Sequence, residues 1–243
     1  MKQVLKLSQA PIEATNALIY GPPGVGKTPF ACSSKKRRAF VIDVDQGLAS
    51  ANPRWGVDTN MIDYVTVESY DEFLWALDQY IKNYQKYEIL VIDTVTELFR
   101  VLLDETRKKG RATQVPEQRD WGIVLVAFDD LIRAIRKLPG VKIFLGHEDS
   151  FDNKETGMKE IKPAFQGQTK KFYSKHFDVI ARLFLVNAQV ANADGTISNQ
   201  VARYLQCQPT PNIDSRDKYG ILGMYEIPDL DQILDRIDQG RNK

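Results

Sequence analysis

Apolar residues along the chain keep two rhythms. Short unbroken runs, Leu18-Ile19-Tyr20, Phe40-Val41-Ile42, Ile89-Leu90-Val91-Ile92 and Val141 to Leu145, are bounded by polar or turn residues and predict buried strands. A briefer run, Tyr64 to Val67, predicts another. Between them the spacing turns helical. Ser69 caps a segment with Phe73, Leu74, Leu77 and Ile81 on one face, and Val95, Leu98, Phe99 and Leu102 mark the next. Val124, Leu125, Phe128, Leu131, Ile132 and Ile135 predict a helix over about 121 to 138, ended by Pro139-Gly140. Leu230, Ile233, Leu234 and Ile237 predict a closing helix. Strands alternating with helices imply an α/β fold, a mostly parallel twisted sheet flanked by helices, with sites at the carboxyl ends of its strands. Near the end the pattern changes. Asp194-Gly195 is a hairpin signal, so 179 to 186 and 200 to 207 pair as a C-terminal antiparallel extension.

The first strand runs into Gly21-Pro22-Pro23-Gly24-Val25-Gly26-Lys27-Thr28, which fits the P-loop pattern. Gly24 and Gly26 let successive backbone N–H groups converge on a phosphate, Lys27 brings charge to the β/γ-phosphates, and Thr28 offers a hydroxyl to Mg²⁺. Pro29 suits a first helical turn, and that helix is expected to reach the basic cluster Lys35-Lys36-Arg37-Arg38, read as a solvated helix end or a grip on nucleic acid. Ile89 to Asp93 reads as the second nucleotide motif, four apolar residues ending in a carboxylate for Mg²⁺. The interval from Lys27 to Asp93 holds a whole strand and helix, which places an extra strand between the two motif strands. Thr94 follows Asp93 where a glutamate base is often found, so the base comes from elsewhere. Asp45, ending strand Ala39 to Asp45, lies beside the same crevice.

Composition narrows the picture further. With 243 residues, 43% hydrophobic and 27% charged, the chain fits one domain: an N-terminal segment 1–16, a core 17–207 and a C-terminal loop and helix 208–243. A net charge of +1 gives no global field that would announce nucleic acid or membrane. Two isolated cysteines, Cys32 and Cys207, offer neither a zinc cage nor a disulfide framework and fit a reducing cytosol. No run is long and apolar enough for a membrane span. Residues 149 to 169 are polar, hold Gly157 and Gly167, lack an apolar period and predict a long loop, functional or disordered.

Ile42-Asp43-Val44-Asp45 and Asp93-Thr94-Val95 resemble the corresponding strand ends of the RecA family of recombinases, and the likeness extends over roughly 17 to 205. It implies a RecA-like P-loop NTPase core with ATP and Mg²⁺ as cofactors, Lys27 and Asp45 as catalytic residues, and His147 of Gly146-His147 as the γ-phosphate sensor. It places a first DNA-binding loop at 103 to 121 and a second at 149 to 169, the latter leaving through Gly167-Gln168-Thr169-Lys170-Lys171-Phe172-Tyr173. Arg107, Lys108, Lys109, Arg111 and Arg119, with Lys154, Lys159 and Lys162, are then candidates to track a phosphate backbone. Phe151, Phe165 or Tyr173 would stack on unpaired bases.

Family sites lie between subunits, so a homo-oligomer is implied with a cation from the neighbour. Arg216, Lys218, Lys170, Lys171 and Arg203 are the candidates. The chain looks most like the minimal RecA-like ATPases of bacteriophages, which implies single-stranded DNA and a single-strand-binding protein as partners, a role in annealing or strand exchange, and the bacterial host cytoplasm. Two rivals stay open: a P-loop phosphotransferase acting on a small molecule, and a regulatory ATP-dependent assembly module with negligible turnover.

Overall fold

A computed structural model describes residues 15–110, 118–154, 157–165, 173–191 and 197–241. Expectations that fall on Lys170, Lys171, Arg111 and the Asp194-Gly195 turn lie outside the described residues, as do residues 1–14.

Among the described residues ten strands form the sheet: β1 (Asn16–Gly21), β2 (Ala39–Asp43), β3 (Ile62–Thr66), β4 (Ile89–Asp93), β5 (Val141–Asp152), β6 (Lys159–Pro163), β7 (Val179–Ala191), β8 (Ile197–Gln206), β9 (Arg216–Asp217) and β10 (Tyr225–Glu226). Their order is β10-β8-β7-β1-β5-β4-β2-β3, with β6 on β5 and β9 on β7. Pairing from β7 through β3 is parallel, while β8, β9, β10 and β6 join antiparallel. The helices are α1 (Lys27–Ala31), α2 (Tyr70–Asn83), α3 (Val95–Gly110), α4 (Gln118–Arg136) and α5 (Leu230–Arg241).

Why the strands read as unbroken apolar runs is now visible. Alternate residues of one strand enter different cores: Leu18, Tyr20, Leu90, Ile92 and Phe144 pack under α2, α3 and α4. Ala17, Ile19, Ile89, Val91 and Ile143 pack with α1 and α5 on the other face. A strand buried on both faces has no polar alternation to show.

Several expectations are corrected. The strand between β1 and β4 is β5, which follows both in sequence, whereas β2 lies beyond β4. Residues 141 to 145 are fully apolar on both faces apart from Lys142, whose ammonium bonds the Leu138 carbonyl, so β5 fits the centre of the sheet. The first helix stops at Ala31 rather than reaching the basic cluster. The Ser33 hydroxyl donates to the Phe30 carbonyl at 2.8 Å, and the Ser34 hydroxyl accepts from Arg37 N–H at 2.8 Å, so short polar side chains replace the helical ladder. Three residues of the cluster are engaged within the chain, while Lys35 is exposed. Arg37 meets Asp231, Asp235 and Asp238 of α5, Lys36 meets Asp235, and Arg38 meets Asp63. Helix α2 begins at its expected cap, with the Ser69 hydroxyl accepting from Glu72 N–H, but it buries Phe73, Ala76, Leu77 and Tyr80 and leaves Leu74 and Ile81 exposed. The expected loop at 149 to 169 is largely a β-hairpin, with Glu148 to Asp152 of β5 paired to β6. Few of its residues are apolar, with Ile161 against the core and Pro163 buried, so the apolar alternation that betrays a strand is missing. Phe165 and Tyr173 are buried in the larger core and are not available to stack on bases.

Candidate functional site

Four strand ends converge at one edge of the sheet, and register alone brings their polar residues together. Gly21 sits beside His147 and Asp43 beside Asp93. The loop after Gly21 turns through Gly24 at φ 74° and Gly26 at φ 97°, both in the left-handed region that costs other residues energy. At Gly21 the constraint is space, since a Cβ would stand 2.2 Å from the Leu183 carbonyl of β7. Lys27 is almost wholly buried, and its ammonium bonds the Gly21 and Pro22 carbonyls at 3.0 and 2.9 Å. Burial pulls its pKa below the ordinary lysine value, against the opposing pull of Asp93 and Asp45.

The two nucleotide motifs touch directly: the Thr28 hydroxyl donates to Asp93 Oδ2 at 2.6 Å. Burial, helped by Asp43 and Asp45 and opposed by Thr28, pushes the Asp93 carboxyl up to about 6. The hydroxyl and carboxylate are hard oxygen donors of the kind Mg²⁺ takes, and the crowding of three carboxylates favours a cation there. These residues fit the metal. The carbonyl of Asp93 accepts from Val44 and Asp45 N–H, and Asp43 accepts from Gly47 N–H, which together hold the turn that carries Asp45.

Asp45 faces His147, with Oδ2 3.6 Å from Nε2, and both side chains are about one-third exposed. Burial raises the Asp45 pKa, with His147 opposing. A third group, missed in the sequence, completes the cluster: Glu97, one polar atom of which lies within 4.8 Å of those of Asp45 and His147. It arrives because Thr94 caps α3, accepting from Glu97 N–H, while Thr96 accepts from His147 N–H at 3.1 Å. The signal available was Glu97 on the first turn after the second motif, a carboxylate one helical step past the capping threonine. Arg100 bonds Glu97 at 2.6 Å.

Two further residues lie over the loop. The ring of Trp55, from the short turn Pro53–Trp55, carries the Arg203 guanidinium 4.1 Å from its centroid, and both approach Gly26. Arg203 was expected to serve a neighbouring subunit, yet it stands over the P-loop of its own chain. Lys218 pairs with Asp178 at 3.0 Å, and Arg216 donates to the Ser174 carbonyl at 3.0 Å. Both are engaged within the chain, away from Lys27. Of the basic DNA candidates, Arg107 pairs with Asp104 on α3 and Lys162 with Glu160 on β6, while Lys108, Arg119, Lys154 and Lys159 are exposed. No described helix is long and apolar enough to cross a membrane.

Among solved structures the chain is similar to the KaiC-like protein of the hyperthermophilic archaeon Pyrococcus horikoshii, with 17% identity over 79% of this chain and 77% of that one, at a TM-score of 0.45. No curated protein matches it. An AAA domain family matches residues 13–219. Together with the P-loop lysine and its threonine bonded to the second-motif aspartate, that match over most of the length means that the chain belongs to the AAA domain family and is a P-loop ATPase of the AAA kind.

Proposed function

We propose that the protein hydrolyses ATP with Mg²⁺ in response to single-stranded DNA and assists annealing or strand exchange. The observation that supports this best is the course of β5: without interruption it carries His147, beside Asp45, into the hairpin bearing Lys154, Lys159 and Lys162. The hairpin also returns to the site, since Ala164 N–H donates to the His147 carbonyl at 2.9 Å. A change at the γ-phosphate that moves His147 therefore moves the hairpin. One continuous strand connects the two.

In this reading Lys27 leaves the Gly21 and Pro22 carbonyls for the β/γ-phosphates, and Thr28 and Asp93 hold the metal, which would neutralise phosphate charge. Asp45 orients the attacking water and takes its proton, with Glu97 within reach of the same water. His147 bonds the γ-phosphate or Asp45 according to the state of the nucleotide. Subunits assemble with ATP between them, and a single-strand-binding protein delivers the DNA.

The test is ATP turnover with and without single-stranded DNA, for the natural protein, Lys27→Ala and Asp45→Asn. Stimulation that both substitutions abolish is expected. If DNA neither alters turnover nor binds in the presence of a non-hydrolysable analogue, the DNA reading falls, and a regulatory module or a small-molecule phosphotransferase takes its place.

A further inference from the structure

The Trp55–Arg203 pair stands over the P-loop. Several arginines of the chain meet carboxylates: Arg37 bonds three aspartates of α5, Arg38 bonds Asp63, Arg182 bonds Glu148 and Arg236 bonds Glu226. Among the described residues Arg203 has no carboxylate partner; its guanidinium rests on the Trp55 ring. An indole face orients a guanidinium through its quadrupole without neutralising it. The charge stays available.

Its position is specific. A Cβ on Gly26 would lie 3.2 Å from Arg203 Nη1 and 2.9 Å from Trp55 Cζ3, so both groups press on the glycine that precedes Lys27. Any larger residue at 26 would expel them. The approach does not depend on a neighbouring molecule. Arg203 is fixed on β8 opposite Leu185 of β7, and β7 lies against β1. Trp55 comes from the far side of the loop, where Asn52 accepts from Arg54 N–H and Gly56 ends the turn at φ 76°. Two elements distant in sequence thus place a cation over an anion-binding turn whose own lysine is bonded only to carbonyls.

We propose that Arg203, steadied on the face of Trp55, is a phosphate-binding cation that the P-loop receives from its own chain, and that its ligand is the polyphosphate tail of a nucleoside triphosphate. This rests on the nucleotide-binding reading of the P-loop and adds the group that closes over it. Guanidinium and indole would form one wall of the phosphate cradle, opposite the backbone N–H groups of residues 24 to 28.

The test is calorimetric titration of the full chain with two probes, Mg²⁺ with a non-hydrolysable ATP analogue and inorganic tripolyphosphate, which lacks a base. Arg203→Ala is expected to weaken both by about tenfold or more, as for loss of a charge-assisted hydrogen bond. Trp55→Ala should weaken both similarly by releasing the guanidinium, and Trp55→Phe, which keeps an aromatic face, by only roughly threefold. Unfolding midpoints without ligand should be unchanged, which separates a binding role from a structural one. Unchanged affinity of Arg203→Ala for both probes overturns the proposal. So does a loss confined to the ATP analogue, which would make the pair a base platform. If Lys27→Ala abolishes binding while Arg203→Ala does not, the nucleotide reading stands and the assignment of Arg203 falls; if the natural protein binds neither probe, both fall. Mixing Arg203→Ala with Lys27→Ala should not restore turnover, because each chain keeps its own defect. Restoration would mean that Arg203 acts on a neighbour.

Discussion

Two buried aspartates, at opposite ends of the same sheet, behave in opposite ways. Asp178, beside the start of β1, accepts from Asn16 N–H at 3.0 Å, from the Asn16 side-chain amide at 3.1 Å and from the Lys218 ammonium at 3.0 Å. Burial would raise its pKa, but these donors outweigh it and hold the carboxyl below the usual range. Asp93, at the carboxyl end of β4, is equally buried but has one hydroxyl donor and two neighbouring carboxylates, and its pKa rises to about 6. The first is satisfied by the fold. The second is left short of positive charge, which is the condition of a group that waits for a ligand.

This contrast can be broken most severely at the satisfied end. Asp178→Ala takes the acceptor from two buried Asn16 donors, the backbone N–H and the side-chain amide, and it should cost about 2 to 4 kcal/mol in denaturant unfolding at neutral pH. At the other end the sign reverses. Asp93→Asn removes an uncompensated buried charge and should stabilise the metal-free protein at pH 8, by up to about 3 kcal/mol from a shift of roughly two pKa units. The same variant should lose Mg²⁺-dependent nucleotide binding. Greater stability together with lost binding would be the signature of a functional carboxylate.

The pH dependence of stability without metal should show both ends. Asp93 binds its proton more tightly folded than unfolded, so its penalty is absent below about pH 4 and grows as pH rises to about 6, after which it is constant. Asp178 has a lowered folded pKa, so its contribution is present above the unfolded value near 4 and is lost as pH falls through the folded one. In Asp93→Asn the decline between about pH 4 and pH 6 should shrink to what Asp45, also raised by burial, contributes. The smallest effect is expected from Lys218→Met. Its side chain is half-exposed and Asn16 still serves Asp178, so screening by solvent should limit the loss to about 1 kcal/mol or less.

Much of this was legible in the sequence for a simple reason. The P-loop and the strand ending at Asp93 are contiguous segments whose geometry follows from local residue type: glycines that allow positive φ, a lysine and a threonine at fixed spacing, and an apolar run ending in a carboxylate. The strands themselves were legible because burial on both faces leaves continuous hydrophobicity. The second half of β5 was not, because its pairing with β6 is made by backbone groups and its side chains show no alternation. Helix α2 was read with the right cap and half of its inner face, Phe73 and Leu77, since the packing of Tyr80 against Phe40 and Tyr87, rather than periodicity alone, decides which other apolar residues turn inward.

What the sequence by itself determined is the P-loop turn, the two motifs that supply the bonded pair Thr28 and Asp93, and a mostly parallel α/β sheet, all set by short-range sterics and by apolar runs. Only the tertiary structure decided which strand lies between the two motifs, that Glu97 joins Asp45 and His147, that Lys36 and Arg37 pair with α5, and that Trp55 and Arg203 meet over Gly26. Each of these depends on contacts between segments tens to hundreds of residues apart. Such contacts are fixed by sheet order and register, and no local pattern of residues carries that information.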